Sequence, residues 1–199
     1  MDEPLIIANC SGFYGDRFEA AAEMVEGGPI DVLTGDYLAE LTMAILWRAK
    51  QRDPSRGYAT TFLRQMESLL GTCLDRGIRV VANAGGLDPE ALAGGLADLA
   101  GRLGLPVRIG VVTGDDVLGR LGELAAASGG DLRHADTGAA LGGRAALTAH
   151  AYLGGWGITA CLAAGADVVV GGRTADAALV SGPAAWHHGW GTGDWDALA

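Results

Sequence analysis

Basic residues are scarce in this chain, which has 14 Lys and Arg against 24 Asp and Glu and a net charge of −10. That balance, with no Lys/Arg cluster anywhere, excludes a nucleic-acid-binding surface. Cysteine is almost as rare: Cys10, Cys73 and Cys161 are widely spaced and odd in number. They exclude a disulfide framework and suit the reduced thiols of a cytosol. No apolar run reaches the roughly 18 residues that a membrane helix needs, so no membrane partner is expected. The opening MDEPLIIANC is acidic and has no basic n-region, so no signal peptide is expected and a cytoplasmic location is.

Several catalytic and nucleotide signatures are missing too. There is no G-x-x-x-x-G-K-[ST] loop for phosphates and no G-x-S-x-G nucleophile elbow. No G-x-G-x-x-G opens a helix after the first strand, which disfavours NAD and FAD. His187 and His188 are sequence neighbours, and His134 and His150 fall in an irregular region. With no Cys/His cluster at ligand spacing, a zinc site is disfavoured. The cofactor therefore stays unassigned, with a divalent cation on aspartates as the option left open.

What is present is glycine, 33 residues of it, in a chain that is 49% hydrophobic and 199 residues long. That length suffices for one α/β domain, residues 1–199, with a full core. The most informative stretch is GADVVVGGRTADAALVSGP, residues 165–183. Three consecutive valines predict a strand buried on both faces, as in parallel sheets covered by helices. Gly171 and Gly172 break that strand, and Thr174 is placed to cap the helix that follows.

The same grammar recurs along the chain. Strands are predicted at residues 5–8, 30–33, 79–82 and 107–112, each followed by a polar or glycine turn. Helical spacing follows Asp16, with Phe18, Ala21, Ala22 and Val25. It follows Tyr37, with Leu38, Leu41, Ile45 and Leu46 on one inward face. Helices are further predicted over residues 60–76, over 89–103 with Asp88 as cap and Pro89 at the first position, through Leu118, Leu121 and Leu124, and over 157–164. Residues 128–144 read as a loop or lobe, residues 147–153 as a strand or loop end, and the tail carries Trp186, Trp190 and Trp195. Alternating strands and helices predict a three-layer open, mostly parallel sheet with helices on both faces; an incomplete β/α barrel is the alternative.

In such sheets, ligands bind at the carboxyl ends of the strands. The residues expected there are Asn9, Ser11 and Gly12; Asp36 and Tyr37; Asn83, Gly85 and Gly86; Asp115; and Gly171, Gly172, Arg173 and Asp176. Asp36 and Asp115 have the chemistry of a general base or cation ligand, and equally of helix caps. Arg173 offers a planar fork for a carboxylate or phosphate. The glycine turns can present N–H groups to an anion, or serve as turns alone. Tyr37 and Trp156 are placed to contact an apolar substrate tail, and Tyr152 and Trp156, beside glycines, can line an apolar part of a pocket or fill core. Cys10, at a strand end with no identifiable base, reads as a buried thiol before a nucleophile.

These residues carry a resemblance. ANCSGFYGDRFEAAAEMVEGGPIDVLTGDYLAELTMAIL, RVVANAGG, AYLGGWGITACLAAGADVVVGGRTADAALVSGPAAWHHGW and GDWDALA follow one another in the order of the acyclic terpene utilisation protein A (AtuA) family. The resemblance implies a cytoplasmic bacterial protein of acyclic terpene and branched-chain acyl catabolism, which runs through coenzyme A thioesters. It marks Ser11, Gly12, Asp16, Gly35, Asp36, Asn83, Gly85, Gly86, Gly172, Arg173 and Asp176 as motif positions and supplies no reaction. Members of the family continue past the position of Asp196, so a truncated form is expected, with a homo-oligomer or partner subunit covering any exposed edge. The expected function is an enzyme binding a small anionic substrate, with Arg173 on the anion and Asp36 or Asp115 in acid–base work. The alternatives are a non-catalytic module for a metabolite or partner, and an inactive truncated form.

Overall fold

The computed structural model describes residues 3–198. Five strands form one sheet: β1 (Ile7–Asn9), β2 (Val32–Gly35), β3 (Arg79–Ala82), β4 (Ile109–Val112) and β5 (Val168–Gly171). Their order across the sheet is β1-β2-β3-β5-β4 and every pairing is parallel. The sheet is open, so the barrel alternative does not hold.

The valine run explains the layering. Side chains alternate across a strand, so a strand covered on both faces must be apolar throughout. Val168 and Val170 enter one core with Leu33, Val80 and Ala82, while Val169 enters the other with Val32 and Val81. Burying each valine contributes about 1.5–3 kcal/mol before chain entropy is charged. The first core lies under α1 (Ala20–Gly27), α3 (Thr60–Asp75) and α4 (Pro89–Leu103), which pack side by side. The second lies under α6 (Trp156–Ala163) and α7 (Ala178–His188). Crossovers that advance the sheet use the first face, and the step back from β4 to β5 uses the second. A uniform crossover hand demands that arrangement.

α4 shows its caps in full. Asp88 accepts a hydrogen bond from the Ala91 N–H at 3.1 Å, Pro89 opens the helix, and Gly104 closes it in the left-handed region at φ 67°. α2 (Glu40–Arg52) corrects the sequence reading. It buries Thr42, Met43 and Leu46, whereas Leu41 is 72% exposed and Ile45 is also exposed. The apolar stripe expected inside is split between core and surface. Thr174 is likewise no cap: α7 begins only at Ala178 and its first turn has no side-chain cap. Asp16 sits ahead of a tight turn, and α1 starts at Ala20.

Between β4 and α6 the chain leaves the sheet. A 3-10 turn (Leu118–Arg120) and α5 (Leu121–Ala127) bury no residue. The excursion returns through residues 149–153, which form bridges rather than a strand. Ala151 N–H donates to the Asp115 carbonyl at 2.7 Å and Leu153 N–H to the Arg173 carbonyl at 3.2 Å. One short segment is thereby laced to the exits of both β4 and β5. The last helix, α8 (Trp195–Leu198), buries nothing.

The strands end in step: Asn9 pairs with Thr34, Gly35 with Ala82, Ala82 with Val170 and Val112 with Gly171. At the centre the β3 and β5 tips are sewn together, since Gly85 N–H donates to the Gly171 carbonyl at 2.9 Å. A Cβ on Gly85 would lie 2.5 Å from that oxygen and 2.6 Å from Pro89. Gly85→Ala is therefore expected to cost roughly 1–3 kcal/mol in urea denaturation. Gly94→Ala, in open space on α4, is expected to stabilise by up to about 1 kcal/mol. Equal midpoints for the two variants would contradict the sewn tips.

Candidate functional site

The loops after all five strands share one rim, and the sequence-expected residues fall into two groups on it. The first surrounds β1 to β3. Asn83 is fully buried and bridges: its amide donates to Asp36 at 2.6 Å and its carbonyl accepts from the Tyr37 N–H at 2.7 Å. Asp36 also accepts from the Leu38 N–H at 3.2 Å. Its own N–H donates to the Ser11 carbonyl. Asn9 donates to that same carbonyl at 2.9 Å, and Gly12 N–H donates to Asp16 at 2.9 Å. The Ser11 hydroxyl is spent on the Phe13 carbonyl.

The second group surrounds β4 and β5. The buried Asp115 carboxylate accepts the Arg173 backbone N–H at 2.7 Å, on the oxygen that lies 2.9 Å from His150 Nδ1. The packing permits this because residue 172 has no side chain: a Cβ on Gly172 would sit 2.4 Å from both Asp115 oxygens. Arg173 is only 6% exposed. Its guanidinium donates to the Leu38 carbonyl, to the Tyr152 hydroxyl at 2.7 Å and to Glu40 at 3.2 Å. It also lies over the Tyr152 ring, 4.3 Å from the centroid. The bond from Arg173 to Leu38 joins the two groups, so Asp36, Asn83, Asp115 and Arg173 stand on one side of the sheet.

Electrostatics separate the carboxylates. Burial pushes Asp36 above its ordinary value, the neighbouring Asp176 adds to the push, and the bonds from Asn83 and Leu38 oppose it. Glu40 goes the other way, held low by the Tyr152 hydroxyl and then by Arg173. Burial works against the charge on Arg173, yet Tyr152 and Glu40 hold its pKa above the usual arginine value. Cys10 is pushed up to about 11, chiefly by burial, so its thiol stays protonated at neutral pH.

Arg173 and Tyr152 form one wall of a cleft of about 170 Å³. Glu40, Met43, Thr148, Ala149 and His150 complete it. A second cleft of about 150 Å³, beside Trp47, Lys50 and Asp116, shares Thr148 and His150. An apolar chamber of about 390 Å³ inside the excursion, walled by Leu121, Leu132 and Leu141 with Arg133 and Arg144, shares Thr148 and Ala149. Thr148 lines all three spaces.

Some sequence-expected residues stand apart from this cleft. Tyr37 is 2% exposed, packs edge-on to Phe62 and donates to Gln65, so it is core rather than a wall for substrate. Trp156 opens α6 and lines two other hollows, one beside Thr159 and Ser181 and one beside Val112 and Leu153. Gly86 is buried against Leu46 and Gly57 and, like Gly85 and Gly171, packs the strand tips. Asp176 is exposed and reaches the site only through its charge on Asp36. Among the described residues no three His, Cys, Asp or Glu side chains gather as a metal site, and no helix is long and apolar enough to cross a membrane.

The sequence reading missed three residues here: His150, Tyr152 in its polar role, and Glu40. Glu40 begins a helix two residues beyond the Leu38 carbonyl that anchors Arg173. The other two lie in a segment without periodicity, and only the bridge to Asp115 and Arg173 gives them a place.

A model of the family described as acyclic terpene utilisation family protein AtuA matches residues 5–199. No curated protein and no solved structure matches the chain.

Asp36 yields a test of the electrostatics. A carboxyl raised in the folded state contributes stability that is present below its ordinary value near 3.8 and lost as pH rises through the raised value. Asp36→Asn keeps the oxygen that accepts from Asn83 and Leu38 and removes the charge. Its melting temperature is expected to exceed that of the parent at pH 7, with the gap closing as pH falls below about 4. A variant less stable than the parent at pH 7 would contradict the assignment.

Proposed function

The chain belongs to the acyclic terpene utilisation (AtuA) family, and from that premise we propose that it is an enzyme of acyclic terpene or branched-chain acyl breakdown. The substrate is a small carboxylate or acyl thioester. Its polar head lies in the cleft at Arg173, and its branched hydrocarbon runs along Thr148 and Ala149 into the apolar chamber of the excursion. One observation carries this reading. Arg173 is buried at the floor of a cleft and is paired with a carboxylate, Glu40, whose side chain is 79% exposed. Glu40 is a local anion that a ligand carboxylate can displace, at the cost of a pair that contributes about 0–1 kcal/mol at a surface. The Arg173 fork and the Tyr152 hydroxyl are held in place beforehand by Leu38 and the return segment, so little ordering is needed on binding.

The roles within this reading follow from burial. Asp115 is occupied by two donors and positions its neighbours. Asp36, half-buried on the adjoining rim with its carboxyl raised by burial above its ordinary value, is the acid–base group on that side of the site. Asn83 orients Asp36 and the Tyr37 backbone together.

Titration calorimetry with 3-methylbut-2-enoate, a five-carbon branched carboxylate, tests the cleft. Glu40→Gln is expected to tighten binding several-fold by removing the competing anion. Arg173→Met is expected to weaken it at least tenfold. If Glu40→Gln binds no better than the parent, or Arg173→Met binds as well, the anion reading falls.

A further inference from the structure

We propose that His150 is the general base of this cleft, with Asp115 as its positioning residue. The side chain of His150 is 7% exposed, and that of Asp115 is 4% exposed. Their contact, Nδ1 to carboxylate oxygen at 2.9 Å, closes one end of the imidazole. The other end is unpartnered: Nε2 is buried and has no hydrogen-bond partner among the described residues. His150 lines both the cleft that holds Arg173 and the cleft beside Asp116.

The tautomer follows from the donors present. The Asp115 oxygen that faces His150 already accepts the Arg173 backbone N–H at 2.7 Å. A carboxylate has no proton to give, so toward His150 that oxygen also accepts and Nδ1 carries the proton. In the neutral ring Nε2 then bears the lone pair, within a residue that lines both clefts. An Asp-oriented imidazole with its far nitrogen free is the arrangement in which histidine takes a proton from a substrate or water and returns it.

A purely structural pair would not leave Nε2 so. An unpartnered buried polar atom costs about 1–3 kcal/mol, and natural folds retain such atoms where something else completes them. The lacing of the return segment does not need the ring either, because Ala149 and Ala151 already make the backbone bonds to Val117 and Asp115. The sequence around His150, TAHAYLGG, carries no signature of a base. The assignment arises only because residue 172 is a glycine and lets the Asp115 carboxylate stand against the backbone.

The proposed step is a proton transfer and balances by itself. A hydrogen leaves the ligand or an attacking water for Nε2, the pair it leaves behind stays on the ligand or on the water oxygen, and the imidazolium that forms is paired with Asp115. The ligand is the carboxylate or acyl compound of the preceding section, so its identity rests on that reading, while the state of the ring does not.

The two parts are tested separately. In the free protein, nitrogen-15 NMR of the histidine rings should show His150 with the proton on Nδ1, and the signal should shift in Asp115→Asn. A proton on Nε2 with a bare Nδ1 overturns the proposal. With 3-methylbut-2-enoate at pH 7.5, the same NMR should show the ligand shifting the Nε2 signal while the proton stays on Nδ1, so that the ring in the complex is still able to accept a proton. His150→Gln, whose amide can still bond Asp115, should bind the probe with comparable affinity in calorimetry. An Nε2 that is protonated in the complex, or one that the ligand leaves unshifted, also overturns it. If the parent does not bind the probe, the anion reading fails and the NMR result alone decides the base.

Discussion

The contact on which the arrangement turns is the one between the Asp115 carboxylate and the backbone N–H of Arg173. It joins the exit of β4 to the exit of β5 across 58 residues of chain. The strands themselves need no such tie, since the valine pairs hold them. The excursion between them does, because α5 buries no residue and residues 118–149 contribute none to either core among the described residues. Without an anchor at its base, that excursion would have no fixed relation to the sheet. Asp115 supplies the anchor three times, through its carbonyl to Ala151, through its carboxylate to Arg173 and through the same carboxylate to His150. One residue therefore fixes the return segment and the charges that line the cleft.

Much of the architecture was legible in the sequence, for reasons that can be named. The run Val168–Val170 admits only a strand covered on both faces, and strand–helix alternation then restricts the sheet to parallel pairing. Asp88-Pro89 and Gly104 mark α4 at both ends. What misled was the stripe of α2, where Leu41 and Ile45 recur at helical spacing yet face outward. Periodicity finds an apolar face but does not say which neighbour is there to cover it. Thr174 failed as a cap for a related reason: a bridge from Leu153 keeps residues 174 and 175 extended, and the helix starts later.

The site divides along the same line. Asp36, Asn83, Asp115 and Arg173 could be placed on one rim because each lies within three residues of a strand end, where position is dictated by the sheet. His150, Tyr152 and Glu40 could not, because their places depend on long-range pairings of 35, 21 and 133 residues with Asp115 and Arg173. No local pattern encodes such separations. The glycines at the strand ends are consistent with either an anion cradle or turns alone, and the space beside Gly85 and Gly172 is taken by protein, a carbonyl in one case and a carboxylate in the other.

The topology also bears on why the cleft at Arg173 lies beside the exits of β4 and β5. The loop after β3 leads to α4 on one face of the sheet, and the loop after β5 leads to α7 on the other. Where successive loops part to opposite faces, the backbone leaves a crevice at the strand ends. Here the strand tips are tied at the centre by the bond from Gly85 to Gly171. Space remains at a hollow beside Val112 and Leu153 and at the cleft lined by Arg173, Tyr152 and His150. The walls of the cleft come from the strand exits at Arg173, from α2 at Glu40 and Met43, and from the return segment at His150 and Tyr152, which is laced to those exits. The lobe, with few apolar contacts of its own, is the part of the wall with freedom to adjust around a ligand.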